Sequence, residues 1–249
     1  MGKAHCRAWL YDRVQGRNPP MGEWIAFWDS NHSIYVNARH KDVHYRAIAQ
    51  DVLAWVPAGA RVLDYGCGEA LHAELIAARA RELILCEAAP SLRDALAVRF
   101  ADRRNIAVLS PDEVAAQPAG SLDVVVMHSV AQYLTPQELD ALLVMFRRLS
   151  APQGIVLIGD VIPPHVSAVT DALALLRFAA ANGFLGAALA GLVRTLASDY
   201  WRLRSKFGLT RYEESAMVAK LAATGFAAKR AAANIGHNQA RMTFVARPA

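Results

Sequence analysis

Residues 61–70 of this 249-residue chain read Arg-Val-Leu-Asp-Tyr-Gly-Cys-Gly-Glu-Ala, and residues 83–88 read Leu-Ile-Leu-Cys-Glu-Ala. In each stretch a short apolar run leads to an acidic residue, Asp64 in the first and Glu87 in the second. Such runs are typical of buried parallel strands, whose sheets bind ligands beyond the carboxyl ends of the strands. Gly66 and Gly68 have no Cβ, so the backbone can turn sharply and approach a ligand closely. The pattern predicts a nucleoside pocket in which Glu87 accepts hydrogen bonds from ribose hydroxyls.

The residues around the glycines distinguish between two classes of nucleoside ligand. Dinucleotide-binding proteins use a GxGxxG turn, and the place of its third glycine is held here by Leu71. Asp64 would repel a pyrophosphate, whereas it would attract the ammonium group of a methionine moiety. The segment 64–68 (DYGCG) resembles the DxGxG motif of class I S-adenosylmethionine (SAM) methyltransferases, and Glu87 stands where that family has its ribose-binding acid. The resemblance implies SAM as the cofactor.

The resemblance covers residues 45–164 well and the last 40 residues loosely. It implies an α/β fold, namely a doubly wound, seven-stranded, mostly parallel sheet of the Rossmann-like methyltransferase type. Residues 105–109, 122–127 and 154–159 are apolar enough to be the third, fourth and fifth strands, and the segments at 225–226 and 241–246 suit a closing pair. We expect one domain, divided into an N-terminal cap (1–44), a SAM-binding core (45–164), a helical lid (165–210) and the C-terminal part of the core (211–249).

The resemblance also implies which residues contact the cofactor. In the family, the loop after the third strand lies against adenine, and the segment after the fourth strand lies near the methionine end. The expected cofactor-binding residues are Tyr35, Asp64, Gly66, Cys67, Gly68, Glu87, Ala88, Ser110, Pro111 and His128.

Methyl transfer is an in-line displacement, so positioning provides most of the catalysis, and a base is needed only if the acceptor must lose a proton. His128 and Asp160, at the ends of the fourth and fifth strands, are the candidates for catalytic residues. A hydrogen-bonded structural histidine is an equally good interpretation of His128. Asp160 could orient the acceptor or cap the following turn.

The insertion after Asp160 is rich in alanine and leucine, and Gly183 and Gly186 are expected to break it into two helices. Residues 199–207 then combine aromatic and basic side chains. We expect a lid over an apolar acceptor pocket, with two alternatives: peripheral membrane contact through residues 166–207 and packing in a homodimer.

Other classes of site and partner are disfavoured. A net charge of +5 is too small to indicate a nucleic-acid partner, and residues 128–131 (HSVA) lack the (Asp/Asn)-Pro-Pro-aromatic run of amino-directed base methyltransferases. His40 and His44 could share a helix face, but they have no third ligand, so no metal is expected. Three unpaired cysteines and the absence of a secretory signal predict a cytoplasmic protein.

The sequence therefore predicts metal-independent, SAM-dependent methylation of a small hydrophobic or amphiphilic metabolite. Two alternatives remain open: an enzyme acting on a membrane lipid or quinone, and a non-catalytic SAM-binding partner or regulatory protein.

Overall fold

Seven strands form one sheet in the order β3-β2-β1-β4-β5-β7-β6. The computed structural model describes residues 21–29, 35–195 and 208–249. Strands β1 to β5 run parallel, whereas β7 is antiparallel to both β5 and β6. The predicted doubly wound α/β fold is confirmed. The strands are β1 Arg61–Tyr65, β2 Glu82–Cys86, β3 Ile106–Leu109, β4 Leu122–His128, β5 Ser150–Val161, β6 Phe226–Arg230 and β7 Met242–Pro248.

Helices cover both faces of the sheet. Those within the described residues are α1 Met21–Trp28, α2 Ala38–Leu53, α3 Ala73–Ala77, α4 Pro90–Arg99, α5 Pro111–Ala115, α6 Pro136–Leu149, α7 Ala168–Ala181, α8 Leu185–Thr195 and α9 Glu214–Ala223, with a 3₁₀ turn at Ala131–Tyr133. Helix α2 crosses the proposed boundary between cap and core at residue 44, and the division into these parts stays a prediction.

Helix α6 illustrates how the local sequence sets an element and its packing. Thr135 accepts a hydrogen bond from the Glu138 backbone N–H, while the Glu138 carboxylate accepts one from the Thr135 N–H, which forms a capping box. Leu139, Leu143 and Phe146 recur at helical spacing and are fully buried against the sheet. Helices α2, α3 and α4 cover the opposite face, so the sheet has a core on each side.

The fifth strand begins at Ser150, not at Gly154 as predicted, because α6 leads directly into extended backbone and Ser150 already pairs with Leu122. Gly183 and Gly186 were both expected to break the helix of the insertion, but the break lies at Gly183 alone. Gly183 adopts φ +74°, a conformation that ends helices, whereas Gly186 lies inside α8. The segment 199–207 lies outside the described residues.

The insertion is attached to the N-terminal part of the chain by a small apolar cluster. Ala179, Phe184 and Ala188 are buried together, and Val36 and Val43 pack against them. Among the described helices, none is both long and apolar enough to cross a bilayer.

Candidate functional site

A cavity of about 630 Å³ opens at the carboxyl ends of β1, β2, β4 and β5. This is the point at which the strand order reverses between β1 and β4, where sheets of this type bind their ligands. Every predicted site residue except Ser110 lines it: Tyr35, Asp64, Gly66, Cys67, Gly68, Glu87, Ala88, Pro111, His128 and Asp160. The Ser110 hydroxyl instead accepts a hydrogen bond from the Glu113 N–H and caps α5, so its contact with a cofactor stays a prediction.

The turn after β1 requires both of its glycines. Gly66 and Gly68 adopt φ values of +76° and +57°, where L side chains are strained. A Cβ on Gly66 would lie 2.5 Å from Val130 Cγ2, and one on Gly68 would lie 2.7 Å from Tyr45 Oη. The Gly66 N–H also donates to the Cys86 carbonyl over 2.8 Å, which fixes the turn against the end of β2.

Two carboxylates face the cavity beside this turn. Glu87 is held by backbone donors, since Gly68 N–H and Ala89 N–H each donate to one of its oxygens over 2.9 Å. Each oxygen keeps a further lone pair for a ligand hydroxyl. Burial raises the pKa of Glu87, although these backbone bonds oppose the shift.

Asp64 is the more perturbed of the two acids. Burial, and then the charge of Glu87, raise the pKa of Asp64 to about 7. Within the described part of the chain, no side-chain hydrogen bond or ion pair compensates its carboxylate. A cation in the cavity would supply the missing charge, so the pair suits a ligand with a cationic amino group near Asp64 and hydroxyls near Glu87.

Helix α2 is attached to the glycine turn through residues that the sequence analysis did not identify as part of the site. The Glu69 N–H donates to the Tyr45 hydroxyl over 3.0 Å, and Lys41 Nζ lies 2.9 and 2.8 Å from the two Glu69 carboxylate oxygens. The Tyr35 ring lies against that of Tyr45, with centroids 5.8 Å apart, and burial is the first cause that raises the pKa of both hydroxyls. The helical spacing of Lys41, Tyr45 and Ile48 on one face was the only signal in the sequence.

An aromatic wall closes another side of the cavity. The ring centroid of Tyr133 lies 4.5 Å from that of Trp24 and 5.8 Å from that of Trp28. Helix α1 carries both tryptophans. It is attached to helix α4, because the N–H of Ser91 on α4 donates a hydrogen bond to Asp29 over 2.7 Å. Trp24 is only 2% exposed, and within the part of the chain that the structure describes its buried Nε1 has no hydrogen-bond partner. These tryptophans therefore line the cavity and do not merely cover the edge of the sheet.

His128 lies at the end of β4 with both ring nitrogens engaged. Nε2 is 3.1 Å from the Ile235 carbonyl oxygen, and Nδ1 is 3.1 Å from Ser129 Oγ. Burial lowers the pKa of His128, and the charge of Asp160 opposes this shift. Nε2 donates to the Ile235 carbonyl, and the Ser129 hydroxyl, which itself donates to Asp160, covers Nδ1; the catalytic role of His128 stays a prediction, whereas its positioning by the protein is evident.

Asp160 lies at the end of β5 in a buried ion network. Arg241 Nη1 is 2.6 Å from Asp160 and Nη2 is 3.0 Å from Asp171 on α7, while Ser129 Oγ donates to Asp160 over 2.7 Å. Burial alone would raise the pKa of Asp160, but Arg241 and the other neighbours lower it overall. Arg241 thus connects the insertion to the strand end, a role that nothing in the sequence indicated. Ser129 and Asp160 both have positive φ. This backbone conformation costs about 1 kcal/mol or more for each residue, and these bonds help to hold the residues in it.

Three further histidines collect at this end of the cavity: His40, His44 and His237. The ring centroids of His40 and His44 are 6.1 Å apart, and those of His44 and His237 are 5.5 Å apart. Across the described ranges, no group of three or more His, Cys, Asp or Glu side chains is arranged to hold a metal ion.

Comparisons with known proteins agree with this geometry. A family model described as a methyltransferase domain matches residues 38–228. Among solved structures, DhpI in complex with SAH (S-adenosylhomocysteine) aligns with a TM-score of 0.59 and 14% identity over 92% of this chain and 96% of DhpI. YcgJ from Bacillus subtilis aligns with a TM-score of 0.53 and 15% identity over 75% and 70% of the two chains.

The trans-methyltransferase CalH, also in complex with SAH, aligns with a TM-score of 0.51 and 17% identity over 82% of this chain and 55% of CalH. A comparison with curated protein sequences found no match. These likenesses to solved structures are of fold, whereas the family model spans most of the chain. The chain therefore belongs to the methyltransferase-domain family and is an S-adenosylmethionine-dependent methyltransferase.

Proposed function

We propose that this protein binds SAM with its amino group at Asp64 and its ribose at Glu87, and transfers the methyl group to a small apolar or amphiphilic metabolite. The observation that carries the proposal is the continuity of the cavity. It extends from the two acids beside the glycine turn to Asp160 and His237, so cofactor and acceptor can share one enclosed space. Its volume of about 630 Å³ lies in the range of small-molecule sites.

The cofactor half of the cavity has the chemistry that SAM requires. When bound, SAM supplies an electrophilic methyl group on a cationic sulfonium. Asp64 offers an uncompensated carboxylate to a cationic amino group, and Glu87, already oriented by Gly68 and Ala89, offers acceptor lone pairs to vicinal hydroxyls. Pro111 and Ala88 also line the cavity, which supports the contact with adenine that the family resemblance implies for the loop at Pro111.

The acceptor half favours an apolar body. Trp24, Trp28 and Tyr133 present aromatic surface to the cavity, and Leu175 contributes from the insertion. In-line transfer depends on the positions of the two reactants, so the main work of these residues is to orient the acceptor and exclude water. Tyr45 and Lys41 attach α2 to the glycine turn, so the part of the cavity lining that α2 carries keeps a fixed position relative to the cofactor site.

Calorimetric titration with SAM and with SAH tests the proposal. We expect micromolar binding by the wild type and a loss of about 30-fold or more in Asp64→Ala and Glu87→Ala, since removing one partner of a buried charged hydrogen bond costs about 2 kcal/mol or more. Asp94→Asn, an exposed acid on α4, is the matched control and should bind as the wild type does. A folded wild type that binds neither molecule would contradict the proposal.

A membrane lipid or quinone acceptor is a second candidate, favoured by apolar side chains on the outside of the insertion. Five of them are well exposed on α7 and α8: Val169, Leu173, Leu185, Leu189 and Val193. Flotation with anionic phospholipid vesicles tests this candidate, and Leu189→Glu should abolish flotation if the surface inserts. If the same surface packs in a homodimer, sedimentation will show a concentration-dependent mass that Leu189→Glu reduces. Turnover with any acceptor would exclude a purely regulatory role.

A further inference from the structure

His44 on α2 and His237 in the loop between β6 and β7 form a pair at the acceptor end of the cavity. Their ring centroids are 5.5 Å apart, and both rings line the cavity. In each ring, Nδ1 is buried and has no hydrogen-bond partner among the described residues. Nε2 also makes no hydrogen bond within the described residues and is not among the buried atoms, so it keeps surface that a ligand in the cavity can reach.

The other histidines of the cavity differ in this respect. Both ring nitrogens of His128 are hydrogen-bonded, Nδ1 of His40 accepts from the Val36 N–H, and Nε2 of His72 lies 2.8 Å from Asp42. Buried polar groups in native proteins are nearly always satisfied, and an unsatisfied group calls for an explanation. Two adjacent imidazoles with unused nitrogens point to a polar ligand group between them.

Packing, not hydrogen bonding, holds the pair in place. The His237 ring is stacked on Phe178, with centroids 4.5 Å apart and an interplanar angle of 19°. The His44 ring lies 5.5 Å from Tyr35, and its neighbour in the chain, Tyr45, is bonded to the glycine turn. The fixed connection through Tyr45 keeps His44 at a constant distance from the cofactor site.

The surroundings keep both rings neutral. Burial, and then the nearby His128, His237 and His40, lower the pKa of His44 to about 3. Burial also lowers the pKa of His237. Asp160, at the end of β5, opposes the shift for both rings, so a proton that arrives here during a reaction has a carboxylate close by. Tyr35 and Tyr45 are the other titratable side chains that contact His44.

We propose that the acceptor carries a neutral, weakly acidic hydroxyl on an apolar, phenol-like body, and that His44 is the general base that takes its proton while His237 holds the hydroxyl. The inference rests on the proposed function. A carboxylate acceptor would need no base, and an ammonium acceptor would have to shed its hydration among rings that the site keeps uncharged. A neutral hydroxyl offers one donor and two lone pairs, which complement two neutral imidazoles.

The reaction balances with these groups. The acceptor oxygen forms a bond to the methyl carbon as the bond between that carbon and the sulfonium sulfur breaks, and the sulfur keeps the electron pair. The O–H bond becomes strongly acidic as its oxygen gains the bond to carbon, so a base as weak as His44 can take the proton at Nε2, which forms an imidazolium near Asp160. The products are the methyl ether and the thioether SAH, and the imidazolium returns its proton to solvent when they leave.

The test compares naphthol with naphthalenethiol, which share a carbon skeleton. At mildly alkaline pH the aromatic thiol is largely ionised and needs no base, whereas the naphthol does. With SAM in excess, we expect His44→Gln to lower kcat/KM for naphthol by about 100-fold or more and to leave the thiol within about threefold of the wild type. His237→Gln should act mainly on KM for naphthol. His165 is exposed and lies outside the cavity, so His165→Gln is the matched control: it shows whether a His→Gln substitution by itself changes the activity.

The outcomes separate the two proposals. Calorimetry with SAH is run on every variant, and retained binding shows that the cofactor site is intact. Equal losses on naphthol and thiol, or no loss on naphthol, would refute a base at His44. A wild type that binds SAH but methylates no member of a panel of naphthols and alkylphenols would refute the acceptor class, whereas a wild type that fails to bind SAH would refute the proposed function instead.

Discussion

Asp64 destabilises the protein in the absence of a ligand, and its removal provides a direct test of that view. Burial and Glu87 raise the pKa of its carboxyl from the ordinary value of 3.8 to about 7, so ionisation is harder in the folded than in the unfolded chain. One pKa unit corresponds to about 1.4 kcal/mol, which sets an upper bound of about 4 kcal/mol on the cost of the ionised form. Because the carboxylate is screened by solvent in the cavity, we expect about 2 kcal/mol.

The sign of the pH dependence follows from the raised pKa. Below the unfolded value, Asp64 is protonated in both states and costs nothing. As pH rises towards about 7, the unfolded chain releases its proton first, so stability falls, and above about 7 the full cost is present. Asp64→Asn removes the ionisable group and should raise the free energy of unfolding by about 2 kcal/mol at about pH 8, and by less than half as much at about pH 4.

Urea denaturation followed by circular dichroism, without SAM, measures this difference at the two pH values. Asp94→Asn, which removes an exposed acid, should change neither value by more than about 0.5 kcal/mol. The same Asp64→Asn variant should bind SAM less tightly than the wild type, so stability and binding move in opposite directions. A variant that is less stable than the wild type, or equally stabilised at both pH values, would refute the account of Asp64.

Further variants test the other contacts of the site. Gly68→Ala places a Cβ 2.7 Å from Tyr45 Oη at a positive φ, so we expect it to weaken SAH binding in calorimetry by about tenfold, and unchanged affinity would contradict the need for this glycine. Arg241→Met removes the counter-ion of Asp160 and Asp171 and should cost about 3–5 kcal/mol in urea unfolding at neutral pH. That cost should shrink in acid, where Asp160, whose pKa Arg241 lowers, becomes neutral; a loss that does not depend on pH would show that the guanidinium acts by packing alone. SAM affinity of the wild type should fall as pH drops below about 7, because Asp64 then loses its charge, and a flat profile would place the amino group elsewhere.

The chain order of the residues near Asp64 and Glu87 was enough to predict the cofactor half of the site. Neighbouring residues determine the first strand, the turn whose positive φ values favour glycine, and the second strand. A parallel sheet then necessarily brings the carboxyl ends of its strands to one edge. The same local logic predicted the β-strands and the helix break at Gly183, where the positive φ ends a helix. Gly186 does not break a helix: it is exposed in the first turn of α8, and a single glycine in a helix costs only about 1 kcal/mol relative to alanine.

The acceptor half was decided by tertiary structure. His44 and His237 meet although 193 positions separate them, and Arg241 joins two carboxylates from the insertion and from β5. Such contacts join segments far apart in the chain and leave no periodic pattern in either segment. The sequence could therefore name a histidine at the end of β4, but only the folded chain shows that its ring nitrogens are already bonded while those of His44 and His237 are not. The sequence alone thus determined the fold and the glycine turn at one end of the cavity, because these depend on local backbone geometry, and packing between distant segments determined which side chains line the other end.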